Sequence, residues 1–156
     1  MTIDDLRAEI SIGIESIDGV LKNLSDLYAW VGNRRPSVRE KTAAGSFMAQ
    51  FYSGIENILK RISVYHGVPP PSSKMWQVEL FKQFRVPSRR PLPELFDDLL
   101  ASDLSPYRTF RHVFRHSYGF ELGWERMKEG IERAPDIFAR FKEKILNYLC
   151  DLGVQE

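Results

Sequence analysis

The chain has 156 residues, the length of one ordinary domain, and 43% of them are apolar, enough for a sizeable core. Twenty-two lysines and arginines nearly balance twenty-one aspartates and glutamates, which excludes a global basic field and leaves any contact with a polyanion to a local patch. Cys150 is the single cysteine, so an intrachain disulfide is excluded and a reducing compartment is expected.

The first turns carry Asp4, Asp5, Arg7 and Glu9, unlike a signal peptide, and no apolar run has the length of a membrane span. The expectation is a soluble cytoplasmic protein with no membrane partner. Ile3, Ile10, Ile17, Leu24 and Val31 recur every seven residues, with Leu6, Val20 and Leu27 on a second seam that Gly13 interrupts. This spacing predicts a long amphipathic first helix, with Thr2 and Asp5 as a cap pair and Gly32 to Pro36 as its end. Ser37 and Glu40 read as a capping box for a second long helix, which buries Phe47, Phe51, Ile55, Ile58 and Ile62. That helix runs to about His66, where Gly67 and Pro69-Pro70-Pro71 stop it.

The middle is more broken. Trp76, Leu80 and Phe84 suit a brief helix, Val86 to Pro93 a loop carrying Arg89-Arg90, and Leu95, Phe96, Leu99 and Leu100 another short helix. Ser105-Pro106 reads as a cap followed by proline at the first helical position, opening a helix that runs past Met127. Pro135 opens the last helix, with Phe138, Phe141, Ile145, Leu149 and Leu152 facing inward and Gly153 ending it. There is no alternating strand pattern and no repeat. The fold class is all-α: one domain over 1–156, four main helices with short extra helices in the middle.

The chemistry sits between Arg108 and Tyr118. At about 100° per residue, Arg108, Arg111, His112, Arg115, His116, Tyr118 and Gly119 share one half of the helix. Phe110, Val113, Phe114, Ser117, Phe120 and Trp124 share the other, which is expected to lock the helix into the bundle while the polar half looks outward. Like charges at this spacing cost about a few tenths of a kcal/mol each. A phosphate relieves that cost, and arginine forks suit its oxygens. Histidine exchanges a proton near neutral pH, so arginine with histidine forms a kit for phosphodiester cleavage without metal. Gly119 would let another helix or a substrate come close. A solvated basic face is the plain alternative.

Arg111, four intervening residues, His116, Ser117 and Tyr118 spell R-x4-H-x-Y. This resembles the signature of HepT-like ribonucleases of the HEPN family, the toxins of toxin–antitoxin pairs. The resemblance covers most of the chain, and the wording around the motif, Tyr107 through Trp124, also resembles one branch of that family. It implies an up-down four-helix bundle and a homodimer whose two motif helices form a composite cleft. Arg111 and His116 point roughly 140° apart on an ideal helix, which accords with a site shared between two copies. By the resemblance, Arg111 holds the phosphate and stabilises the transition state, His116 acts as general base, general acid or both, and Tyr118 orients the site. His112 is a supporting residue, and Arg108 and Arg115 extend the phosphate-binding face. Some nucleotidyltransferase antitoxins of this family modify the motif tyrosine with AMP. The resemblance thus implies Tyr118 as a modification site and such an antitoxin as a partner, beside the RNA substrate and a second copy.

No cofactor is expected. His112 and His116 have the spacing of a helical metal pair, but only Glu121 or Glu125 are near enough in sequence to join them, so no metal is expected. Tyr52 and Glu56 could pack beside the motif helix, although Glu56 is expected to pair with Lys60 at the surface. Arg89-Arg90 reads as a solvated loop. Trp30, Trp76 and Trp124 read as core or interface anchors. The competing function is a HEPN-like bundle that binds nucleotide or builds a complex without catalysis, and a plain structural protein stands behind it.

Overall fold

The structure, a computed structural model, describes residues 1–118 and 121–154. Its helices are α1 (Ile3–Val31), α2 (Val38–Tyr65), α3 (Trp76–Lys82), α4 (Asp98–Arg115) and α5 (Trp124–Val154). Strand-like pairing among the described residues is confined to an isolated bridge between Arg85 and Phe96, so the fold is all-α as expected. No helix among the described residues is long and apolar enough to cross a membrane.

Both N-terminal helices start as their sequences predict. The Asp5 amide donates to Thr2 Oγ1 at 3.1 Å, and Asp5 Oδ2 accepts from the Thr2 amide at 2.8 Å. Ser37 and Glu40 repeat the reciprocal arrangement at 3.1 and 2.8 Å, so two orphan donors are satisfied at each helix start. Gly32, with φ 55°, terminates α1 in a backbone region open to glycine.

The four long helices alternate in direction. Gly13 of α1 faces Ile58 of α2, and Gly54 of α2 faces Ile17 of α1, so missing side chains let the two backbones close in. Along α1 and α5, Arg7 donates to the Leu149 carbonyl and Tyr28 to Glu132. Along α4 and α5, the Tyr107 hydroxyl donates to the Gly130 carbonyl at 2.6 Å, and Asp103 receives Arg133 and Arg140. This is an up-down bundle with α3 inserted between its second and third long helices. The central member is α2, which touches the other four. The core runs through Leu6, Ile10, Phe51, Ile55, Phe84, Phe96, Phe141 and Ile145, all at most 1% exposed. Each such side chain contributes about 1.5–3 kcal/mol through burial.

The middle differs from the sequence expectation. Leu99 and Leu100 do not form a separate short helix with Leu95 and Phe96: they are in the first turn of α4. The Asp97 side chain caps that helix by accepting the Leu100 amide at 2.8 Å. Ser105-Pro106 therefore opens nothing, and Pro106 lies inside α4 with its ring exposed. Pro135 likewise lies inside α5, which starts eleven residues earlier at Trp124 and continues through Gly153. A mid-helix proline costs about 3 kcal/mol, and the apolar stripes on either side of each ring hold the helices together regardless. Trp30 is 74% exposed and is no core anchor, whereas Trp76 and Trp124 pack against the core.

Candidate functional site

The motif occupies the C-terminal end of α4. Leu100, Leu104, Tyr107 and Arg111 are its buried stripe, spaced four, three and four residues apart. Arg111 thus stands where an apolar residue would continue the pattern. It is 1% exposed, which corrects the expectation that it faces outward. Phe110 and Phe114 are half-buried and Val113 is 48% exposed, so the helix is rotated relative to the expected apolar half.

The side chain of Arg111 ends on α2. Nη2 donates to Glu56 Oε2 at 2.8 Å, Nη1 donates to Glu56 Oε1, and Nη1 also reaches Ser53 Oγ at 3.0 Å. The guanidinium lies 4.8 Å from the Tyr52 ring centroid. Side chains on a helix lean toward its N-terminus. Because α4 runs against α2, that lean carries Arg111 toward the later residues of α2, where Ser53 and Glu56 stand. Glu56 is 3% exposed, so its surface pairing with Lys60 is overturned; Lys60 instead sits 4.4 Å over the Trp76 ring. Burial, then the Glu56 carboxylate, push the Tyr52 hydroxyl up to about 12.

Where Arg111 is sealed, its neighbours are open. His112, Arg115 and His116 are exposed, and the two imidazole rings meet edge to face with centroids 4.9 Å apart. His112 and Arg115 lie in the last turn of α4, where positive charge complements the helix dipole. Arg108 is half-buried, with its guanidinium 5.5 Å over the Phe81 ring and Nη2 donating to Ser105 Oγ at 3.3 Å.

The helix does not run past Met127. His116 is its C-cap, with its amide on the Val113 carbonyl at 3.1 Å, and Ser117 bonds Phe114 in the same way. Tyr118 therefore lies beyond the helix, 70% exposed, and the angles of an ideal helix apply only as far as Arg115. Gly119 and Phe120, which the sequence pattern put on this helix, lie outside the described residues. The end of α4 is seated by Phe114, which fills the space left by Gly45 of α2: a methyl group there would come within 2.7 Å of the ring.

Beside the motif, a trough of about 940 Å³ follows the outer face of α4 between α3 and the start of α5. Phe81, Phe110, Val113, Leu122 and Met127 give it an apolar floor, and Arg108, Arg126 and Arg133 stand along it. The trough takes in Arg108 and Ser117 but not His112, Arg115, His116 or Tyr118. Among the described residues, no group of three or more histidine, cysteine, aspartate or glutamate side chains is placed to hold a metal ion.

Sequence reasoning missed the Glu56–Arg111 pair. A signal was present: Glu56 lies one turn after Tyr52 and one before Leu59, both buried. An acidic residue within such a stripe needs a cation from a facing helix. A family model described as HepT-like protein matches residues 43–152, from the second turn of α2 to the last turn of α5. No curated protein and no solved structure matches the chain.

Proposed function

Because this chain belongs to the HepT-like family, we propose that it is a metal-independent endoribonuclease, the toxin of a toxin–antitoxin pair, cutting RNA at a site shared by two copies. The observation that carries this reading is the exposed end of α4, where the His112 and His116 rings meet and Arg115 and Tyr118 of the same R-x4-H-x-Y stretch are also exposed. His116 takes the proton from a ribose 2′-hydroxyl. The freed oxygen attacks the adjacent phosphorus, the bond to the 5′-oxygen breaks, and that oxygen receives a proton from His116 or from the same histidine of the second copy. The products carry a 2′,3′-cyclic phosphate and a 5′-hydroxyl. Arg115 and His112 meet the phosphate, Arg108 extends the path of the RNA backbone, and Tyr118 orients the scissile group.

The second copy covers the half-apolar outer face of α4, at Phe110 and Val113, and brings its own histidines to the shared cleft. A nucleotidyltransferase-type antitoxin silences the enzyme by placing AMP on Tyr118, adding bulk and negative charge where phosphate binds. Arg111 belongs to the motif, and cleavage depends on it, but its contacts in this chain are Ser53 and Glu56.

A non-catalytic binding subunit is the second reading. What favours it is the sealed, charge-compensated Arg111, which leaves the motif arginine with no free donor edge toward solvent. Expression in growing cells separates the two. Wild type is expected to arrest growth and fragment cellular RNA while His116→Ala does neither; equal effects of the two proteins would overturn the ribonuclease reading.

A further inference from the structure

We infer that Arg111 serves the ribonuclease reaction as a positioning residue locked to Glu56, and that the substrate phosphate is met by Arg115 and the His112–His116 edge instead. This inference rests on the ribonuclease reading. Arg111 spends its donors inside the protein: Nη1 on Ser53 Oγ at 3.0 Å and on Glu56 Oε1, Nη2 on Glu56 Oε2 at 2.8 Å. One face of the guanidinium is closed by the Tyr52 ring at 4.8 Å. The side chains of the pair are 2% and 4% exposed.

To reach a phosphate, Arg111 would have to leave a buried carboxylate without a partner, a costly exchange in a dry interior. In place, its charge is cancelled by Glu56 at hydrogen-bond distance, so the field it sends to the surface is that of a small dipole. The pair instead fixes the position of α4. Leu100, Leu104 and Tyr107 seat the helix against its neighbours, Arg111 pins it to α2, and Phe114 fills the space at Gly45. His112 follows Arg111 directly, and Arg115 and His116 come one turn later, all exposed. The two histidine rings, 4.9 Å apart, are carried by the end of α4, so the pinning sets where both stand relative to the rest of the bundle. Misplacing a reacting group by about 1 Å costs on the order of a hundredfold in rate.

A buried ion pair can be replaced by apolar residues of similar volume with the fold retained, whereas removing one partner strands the other. The experiment uses Arg111→Met, Glu56→Leu, the double variant and Arg115→Met in the full chain. Folding is checked by circular dichroism, and cleavage and binding are followed on a short fluorescent single-stranded RNA. Arg111→Met is expected to lower kcat about a hundredfold with little change in KM. The double variant should recover at least about tenfold of that loss. The salt dependence of RNA binding should keep its slope in Arg111→Met and lose about one unit in Arg115→Met.

A folded double variant as inactive as Arg111→Met, or a slope that falls by about one in Arg111→Met, would overturn the assignment and return Arg111 to the phosphate. An unchanged slope in Arg115→Met would overturn the part given to Arg115. Wild type that binds RNA without cutting it would overturn the ribonuclease reading, and the salt slopes then decide the role of Arg111 alone. Wild type that neither cuts nor binds RNA would overturn both.

Discussion

A single long side chain decides how the motif is built. Arg111 crosses from α4 to α2 and meets a carboxylate as deeply buried as itself. Truncation to alanine strands that carboxylate, so Arg111→Ala is expected to lose about 3–5 kcal/mol in urea unfolding. Arg115→Ala, at an exposed position, should stay within about 0.5 kcal/mol of wild type. Equal losses would mean that the pair contributes nothing special. A second residue gives stability a pH dependence. Half-buried His66 holds its Nε2 2.7 Å from the Tyr148 hydroxyl, and burial keeps the imidazole below its ordinary value of 6.5. As pH falls, the unfolded chain takes the proton first. The contribution of neutral His66 is therefore complete above pH 6.5 and shrinks as pH drops below it. Wild type should lose more Tm than His66→Gln between about pH 7 and pH 5.5; parallel losses would contradict this. The motif was legible in the sequence because R-x4-H-x-Y is a local pattern. The partner of Arg111 was not, because it comes from a helix 55 residues away in the chain.

Among the elements, α4 separates what spacing reveals from what it hides. Ser105-Pro106 is a strong start signal in isolation, yet the helix begins at Asp98 under an Asp97 cap. The buried stripe that crosses the proline was readable at Leu100, Leu104 and Tyr107. Cutting the helix at Ser105 hid it, and the wrong face was turned inward. At the other end, the sequence pattern extends the helix past Met127, although Ser117, Gly119 and Gly123 are poor helix formers and the described turn closes at His116. The seat of this helix end is open to test. Gly45→Ala places a methyl 2.7 Å and 2.8 Å from two Phe114 ring carbons, and a ring held in packing gives way poorly. A loss of about 1–3 kcal/mol in urea unfolding is expected, with weaker RNA cleavage. Gly19→Ala, with nothing within 4 Å of the new methyl, should instead gain up to about 1 kcal/mol from helix propensity. If Gly45→Ala behaved like Gly19→Ala, the close contact would not be what seats α4.

At the scale of the whole molecule, the all-α bundle was legible almost throughout. The heptad spacing of α1, both capping boxes and the proline stop after α2 are strong local signals, and the structure follows them. The crossing of α4 over α2 was not legible, since it depends on Gly45 meeting Phe114 and Arg111 meeting Glu56, each far away in the chain. The bundle leaves one basic, histidine-bearing helix end at its surface and seals the arginine beneath it. The proposed ribonuclease function makes one central claim about chemistry: that His116 moves the proton in RNA cleavage. The most direct measurement incubates purified wild type and His116→Ala with RNA in EDTA and identifies the product ends. The account predicts cleavage by wild type alone, leaving 2′,3′-cyclic phosphate. Equal cleavage by His116→Ala, or no cleavage by wild type whose mass shows no AMP on Tyr118, would contradict it.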